Sequence, residues 1–353
     1  MSQQAEDPDY KRRLIEFANH LALKHPDLNI LRNHPRNEYP ILTESLECLL
    51  RERDAKRKLI LPNLSAFGNS AIGLFSDYSG ESSGNYYAYS VLVCGYNFIS
   101  TFSEKANRVR DHFHLGDKEI AFKDFGMGQL RAALPEYLSA ADTLPGFLCT
   151  VAVDKRIKTL FGPQDKSTSK KLVELLEENR LGGRKSREVE KLLRIVHMIA
   201  FLAALLVADG QKLFWMSDND AVCANSKLHE SMMALFDRVL PIYTRPGVTL
   251  PLIGGALPFN PRSIEMNDLL SLPDIVAGSI AQYLSKTDTQ KKEDIVVKVG
   301  AEKVLCFLAR DGIGLKKTTF VIRLNADGII ERGTVDVSLV NQPSNATFIP
   351  IFD

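Results

Sequence analysis

Ala71-Ile72-Gly73-Leu74-Phe75-Ser76-Asp77-Tyr78-Ser79-Gly80-Glu81 is the stretch whose reading decides the fold. Residues 71–75 form an apolar run bounded by small residues, the pattern of a buried strand. Residues 86–94 form a second run, in which Tyr87, Tyr89, Val91 and Val93 alternate with smaller side chains. Ser79-Gly80 marks a tight turn between them, so the two runs read as a hairpin. Asp77 then stands where a central strand ends, and burial there strips the water that its charge needs. A cation held against it makes the position tolerable. The competing reading is an ordinary turn aspartate, since Asp is frequent in turns.

Three more acids stand at the ends of elements. Residues 146–153 are a strongly apolar strand followed by Asp154 and Lys155. Residues 212–216 are a short strand with Asp218 just past its end and Asp220 close by. Ser271 is placed to cap a helix whose first turn holds Pro273 and Asp274. If the strands of Asp77 and Asp154 lie side by side, their carboxylates converge at one edge and repel unless something neutralises them. Mg²⁺ or Mn²⁺ is the usual partner of such hard oxygen ligands. Two such ions about 4 Å apart activate a water and stabilise the leaving oxygen of a phosphodiester.

Around this core the chain reads as α/β. Asp7-Pro8 opens a helix with Leu14, Phe17, Ala18 and Leu21 on one face, and Thr43 caps a second with Leu46, Leu49 and Leu50. Residues 97–102 and 120–125 are strand candidates, and 129–141 a helix. A helical insertion at about 163–210 is broken by Gly182-Gly183 and ends in the apolar run 195–208. A Pro/Gly-rich connection, residues 241–261, is long enough to be a functional loop. The polar run 285–294 reads as a linker to a separate β-rich piece around Asn325-Ala326-Asp327-Gly328. The expected division is a helical extension (1–66), a core with the insertion (67–290) and a C-terminal β unit (291–353), whose exposed edge strand is a possible dock for a protein partner.

The totals are those of a globular chain. Its 353 residues are 45% hydrophobic and 25% charged, with a net charge of +1. Bulk basicity is absent, so any nucleic-acid contact rests on a local patch. The five cysteines are scattered without a C-x-x-C pair, as in reduced cytoplasmic proteins. The N-terminus carries no apolar signal segment, and the 195–208 run falls short of the ~20 residues of a membrane span, so no membrane association is expected.

Two motifs carry a family resemblance: Asp77-Tyr78-Ser79-Gly80, and Leu270-Ser271-Leu272-Pro273-Asp274-Ile275-Val276-Ala277-Gly278. They resemble an uncharacterised prokaryotic family with a ribonuclease-H-like fold. Its members open with a strand ending Asp-Glu-Ser-Gly and close with Leu-Gln-Leu-Ala-Asp-Leu-Val-Ala-Gly. The resemblance spans residues 71–283. It implies a ribonuclease-H-like mixed sheet, and Asp77 and Asp274 as metal-site carboxylates. Asp154 and Asp218 join them by strand order only. The family's Glu is Tyr78 here, with Glu81 a nearby substitute; its Gln is Ser271 and its Ala is Pro273. The expected function is metal-dependent phosphodiester hydrolysis on nucleic acid, by fold analogy. The second expectation is a degraded site that only binds nucleic acid or a protein.

Arg180, Arg184, Lys185 and Arg187 form a basic cluster beside a helix start. Arg184, Lys185 and Arg187, with Lys155, are the candidates to hold substrate phosphates; a solvated turn is the alternative. Gly80-Glu81-Ser82-Ser83-Gly84 matches a G-x-S-x-G nucleophile elbow, which would make Ser82 an esterase nucleophile with His197 or His229 as base. That motif needs a helix after it, and the sequence that follows reads as a strand.

Overall fold

The computed structural model describes residues 39–256, 263–290, 295–310 and 312–337, with isolated positions at 14, 18, 22–25, 27, 28, 351 and 352. The helix expected from Asp7-Pro8 falls almost wholly outside these residues. In chain order the elements are β1 (Ala22–Lys24), α1 (Ile41–Ala55), β2 (Leu61–Pro62), β3 (Ala71–Ser79), β4 (Tyr86–Gly95), α2 (Ser100–His112), α3 (Gly128–Ala141) and β5 (Gly146–Asp154). There follow α4 (Lys166–Glu178), α5 (Ser186–Leu206), β6 (Lys212–Ser217), α6 (Ser226–Tyr243), β7 (Leu252–Ala256), α7 (Ile264–Thr287), α8 (Ala301–Leu308), β8 (Leu315–Leu324), β9 (Ile330–Thr334) and β10 (Ile351–Phe352).

Seven strands make one sheet in the order β7-β6-β3-β4-β5-β8-β9. β3, β4 and β5 form an antiparallel meander. β6 lies parallel to β3, β7 parallel to β6, and β8 parallel to β5. Gly80 makes the β3–β4 turn, with φ at +95°; a Cβ there would stand 2.0 Å from the Tyr86 carbonyl oxygen, so only glycine fits. One face of the sheet packs Leu74, Val91, Val151 and Ile322 against α1, α5 and α6. The other packs Phe75, Leu92, Leu148 and Val321 against α2, α3, α7 and α8. The run 195–206 is buried throughout α5, which explains its apolarity, and among the described residues no helix is long and apolar enough to cross a membrane.

Five expectations change. The C-terminal piece is not separate: β8 pairs with β5 from Gly146↔Leu315 to Val153↔Ile322. Its two sides feed both cores, so it needs cover on each face and gains it by extending the sheet. Residues 97–102 lead into α2, and Phe122–Asp124 is a single 3-10 turn. The 241–261 connection contains β7, which Gly254-Gly255 disguised. α7 does not begin at Ser271; the Ser263 hydroxyl caps it, accepting from the Met266 N–H at 3.3 Å. Pro273 and Asp274 therefore lie mid-helix, where α7 crosses β3 and β4.

Polar side chains pin the helices. Arg110 of α2 grips Asp268 of α7, with its Nε 2.9 Å from Oδ2, and both are almost fully buried. His197 of α5 meets the Tyr243 hydroxyl at 2.6 Å, and Thr43 of α1 meets the same hydroxyl at 3.2 Å. Burial lowers His197 to about 4, so it is neutral in the fold and takes a proton more readily once unfolded. Its contribution to stability is whole above the unfolded pKa near 6.5 and is lost as pH falls toward 4, by about 3 kcal/mol. Urea unfolding at pH 7 and pH 4.5 should show this loss in the wild type and less of it in His197→Leu. Equal pH dependence in both proteins would remove His197 as the cause.

Candidate active site

Asp77 lies two residues beyond Phe75 on β3, so its side chain emerges on the face covered by α7, and it is 6% exposed. The β3–β6 ladder ends at Ser76↔Ser217, and the Asp218 N–H donates to the Ser76 carbonyl at 3.0 Å. That bond carries the ladder one step further and sets Asp218 level with Asp77 on the adjoining strand. Asp274 comes from α7 above them. Its Oδ2 accepts from the Phe122 N–H at 2.8 Å. One turn on, Gly278 faces the same Phe122: a Cβ there would stand 2.3 Å from the ring. Asp274 and Gly278 thus act together to seat residues 122–124 against the helix.

The three carboxylates sense one another. Burial, then the charges of Asp274 and Asp218, hold the Asp77 carboxyl well above the usual range, against the pull of the Tyr78 N–H. Burial also raises Asp274, and Glu119 and Asp218 add to it, while the Phe122 N–H opposes. All these oxygens are hard acceptors in a site that disfavours negative charge, which fits a hard divalent cation in chemistry and sign. Among the described residues no group of three or more His, Cys, Asp or Glu side chains stands close enough to share one ion. Mg²⁺ needs only one or two carboxylates, because it keeps several waters.

Asp154 is not part of this group. β4 separates β3 from β5, and Asp154 pairs with Tyr86 while Asp77 is level with Ser90 and Thr150. Its carboxylate is closed by Arg156, with Nη2 at 2.6 Å from Oδ2 and Nε at 3.1 Å from Oδ1, and by the Leu324 N–H at 3.3 Å. Burial opposes its charge, but these donors outweigh it and hold the carboxyl below its usual value. Asp154 pins the end of β5 to the end of β8 instead of holding a metal.

The basic cluster divides. Arg184 is buried, and its guanidinium donates to the Val222 carbonyl at 3.0 and 2.7 Å and to the Ser231 hydroxyl at 2.6 Å. It is a structural clamp, with no donor left to face a phosphate. Lys185, Arg187 and Lys155 do converge, on a cleft of about 790 Å³ on the α5 side of the sheet, beside Tyr78, Tyr87 and Tyr89. Glu81, the candidate substitute for the family's Glu, is engaged by Lys191 and does not join Asp77.

Ser82 sits in the turn between two antiparallel strands, and no helix follows it. The elbow geometry is therefore absent. His197 is committed to Tyr243 and His229 is buried on α6. Ser82→Ala should leave activity within about twofold of wild type, and a serine-reactive phosphonate should not label Ser82. Labelling at that residue would restore the esterase reading.

Lys191 is the residue that the sequence hid. From α5 it ion-pairs with Glu81 and with Asp220, the latter at 2.5 Å, and stands 5.0 Å from the centre of the Tyr78 ring. Nothing in the local pattern of an apolar helix sets it apart from a solvated lysine. The tyrosines had a signal: Tyr87 and Tyr89 share one strand face, next to a run of cations. No protein-family model, curated protein or solved structure matches this chain.

Proposed function

We propose that the protein is a metal-dependent nuclease built on a ribonuclease-H-like sheet, with Asp77, Asp218 and Asp274 as its acidic site. The order β7-β6-β3-β4-β5, an antiparallel meander followed by two parallel strands, supports the ribonuclease-H-like reading. The observation that carries the reading is the ladder bond from Asp218 to Ser76, which places two acids level at adjacent strand ends beneath a third on α7. Burial and mutual repulsion leave Asp77 and Asp274 poorly able to hold their charges alone.

A divalent ion at this place would supply an activated water and charge stabilisation at the leaving oxygen. Asp77 would hold it, with Asp218 or Asp274 as second ligand. The Phe122 N–H orients Asp274, and the Arg110–Asp268 pair fixes the helix that carries it. The wall of α7 keeps bulk water from the covered side of Asp77.

The test is cleavage of labelled single-stranded and duplex DNA and RNA in Mg²⁺, Mn²⁺ or EDTA, with Asp274→Asn as control. Cleavage in Mg²⁺ or Mn²⁺ but not in EDTA, lost in the variant, supports the reading. The second reading, a binding module, is favoured by Tyr78 standing where the family has Glu. Binding of nucleic acid without cleavage in any metal would select it.

A further inference from the structure

The cleft on the α5 side lies behind the acidic site, around the end of β3. Tyr87 is half-buried on its floor, and Tyr89 and Tyr78 continue that floor, with ring centres 5.9 Å apart. Cations gather over the rings: the Lys155 ammonium is 5.2 Å and the Arg187 guanidinium 5.4 Å from the Tyr87 centre. Arg194 is spoken for by Glu190, and Lys191 by Glu81 and Asp220. Lys155, Lys158, Lys185 and Arg187 also line the cleft and form no ion pair among the described residues. Glu81 and Glu188 line the same cleft, and the Glu81 charge reaches Lys155 and Arg187. The basic side chains outnumber the acids left over, so a half-buried aromatic floor with a net positive rim suits an anion with a flat face.

We propose that this cleft is a subsite for single-stranded nucleic acid, in which an unpaired base stacks on Tyr87 and the flanking phosphates meet Lys155, Lys158, Lys185 and Arg187. It rests on the nucleic-acid reading of the acidic site and adds the strandedness of the substrate. A duplex hides its base faces in its own stack, so an aromatic floor serves only unpaired bases. The volume suits a short stretch of strand. The path leads to the acids: Tyr78 and Ser79 line the cleft next to Asp77 in the chain, and Asp220, the partner of Lys191, is close enough for its charge to act on Asp77.

The experiment is fluorescence anisotropy of labelled oligo-dT, oligo-rU and a blunt duplex of the same length, titrated with the full chain in EDTA. Single strands, with either sugar, should bind at least about tenfold tighter than duplex. Tyr87→Ala should weaken single-strand binding by about tenfold, and Tyr87→Phe, which keeps the ring, should not. Arg187→Ser and Lys185→Ser should each lower the log–log salt slope by about one. Thermal melts of each variant exclude unfolding. Duplex binding as tight as single-strand binding overturns the proposal, as does a Phe variant as weak as the Ala variant. Tight single-strand binding without cleavage in Mn²⁺ would sink the nuclease reading and leave the cleft standing. Cleavage unaltered in Tyr87→Ala would sink the cleft and leave the nuclease.

Discussion

Asp77→Asn should reduce Mg²⁺- or Mn²⁺-dependent cleavage by about 100-fold or more, through loss of the charge that holds a hard cation. The same change should raise the melting temperature of the metal-free protein. The sign follows from linkage. Burial and the neighbouring acids raise the folded pKa of Asp77 above its unfolded value. Whatever stability Asp77 lends is whole below the unfolded pKa near 3.8 and is lost as pH rises through the folded pKa. At neutral pH without metal the buried charge is a cost, and Asn removes it while keeping the size. The gain should be roughly 2–6 °C. Added Mn²⁺ should stabilise only the wild type, by binding its folded state. Melts of both proteins with and without Mn²⁺ check this. A destabilised variant with an unchanged metal response would make Asp77 a purely structural residue of β3.

Arg110→Met should cost about 3–5 kcal/mol of stability at neutral pH, because it strands the Asp268 carboxylate, which is 1% exposed. Burial already raises Asp268 against the pull of Arg110, so without that pull it takes a proton more easily. The penalty should therefore shrink as pH falls. Arg110 also donates to the Gly116 and Lys118 carbonyls at 2.7 and 2.9 Å, and those acceptors lose their partner too. Replacing both members, as Arg110→Met with Asp268→Leu, should recover much of the loss, since two matched apolar side chains leave no charge unpaired. Urea unfolding at pH 7.5 and pH 5 measures each term. A loss under about 1 kcal/mol at pH 7.5 would mean that the pair is not what seats α7.

The hairpin of β3 and β4, the apolar β5 and the buried run 195–206 of α5 were legible because each is written locally, in the period and length of an apolar run. So was Asp77, as an acid that ends such a run. The start of α7 was misread because Ser271 and Pro273 mimic a cap and a first turn. Packing on β3 and β4 carries the helix through the proline. The C-terminal strand looked separate because its partner, β5, lies about 170 residues earlier in the chain.

The sequence by itself determined the β3–β4 hairpin, the strand β5, the apolar run of α5 and the strand-end positions of Asp77 and Asp154, because periodicity and turn chemistry act over a few residues. Only the tertiary structure decided which acids meet. Asp77 and Asp154 end equally apolar strands, but β4 inserts between them, so Asp154 goes to Arg156 and Asp218 takes the place beside Asp77. Arg184 and Arg187 are equivalent letters in one basic run. Burial against Val222 and Ser231 consumes the donors of the first, while the second stays exposed over the Tyr87 ring. Sheet order and burial are properties of the whole chain, and they set the dielectric and the neighbours on which every charge in the site depends.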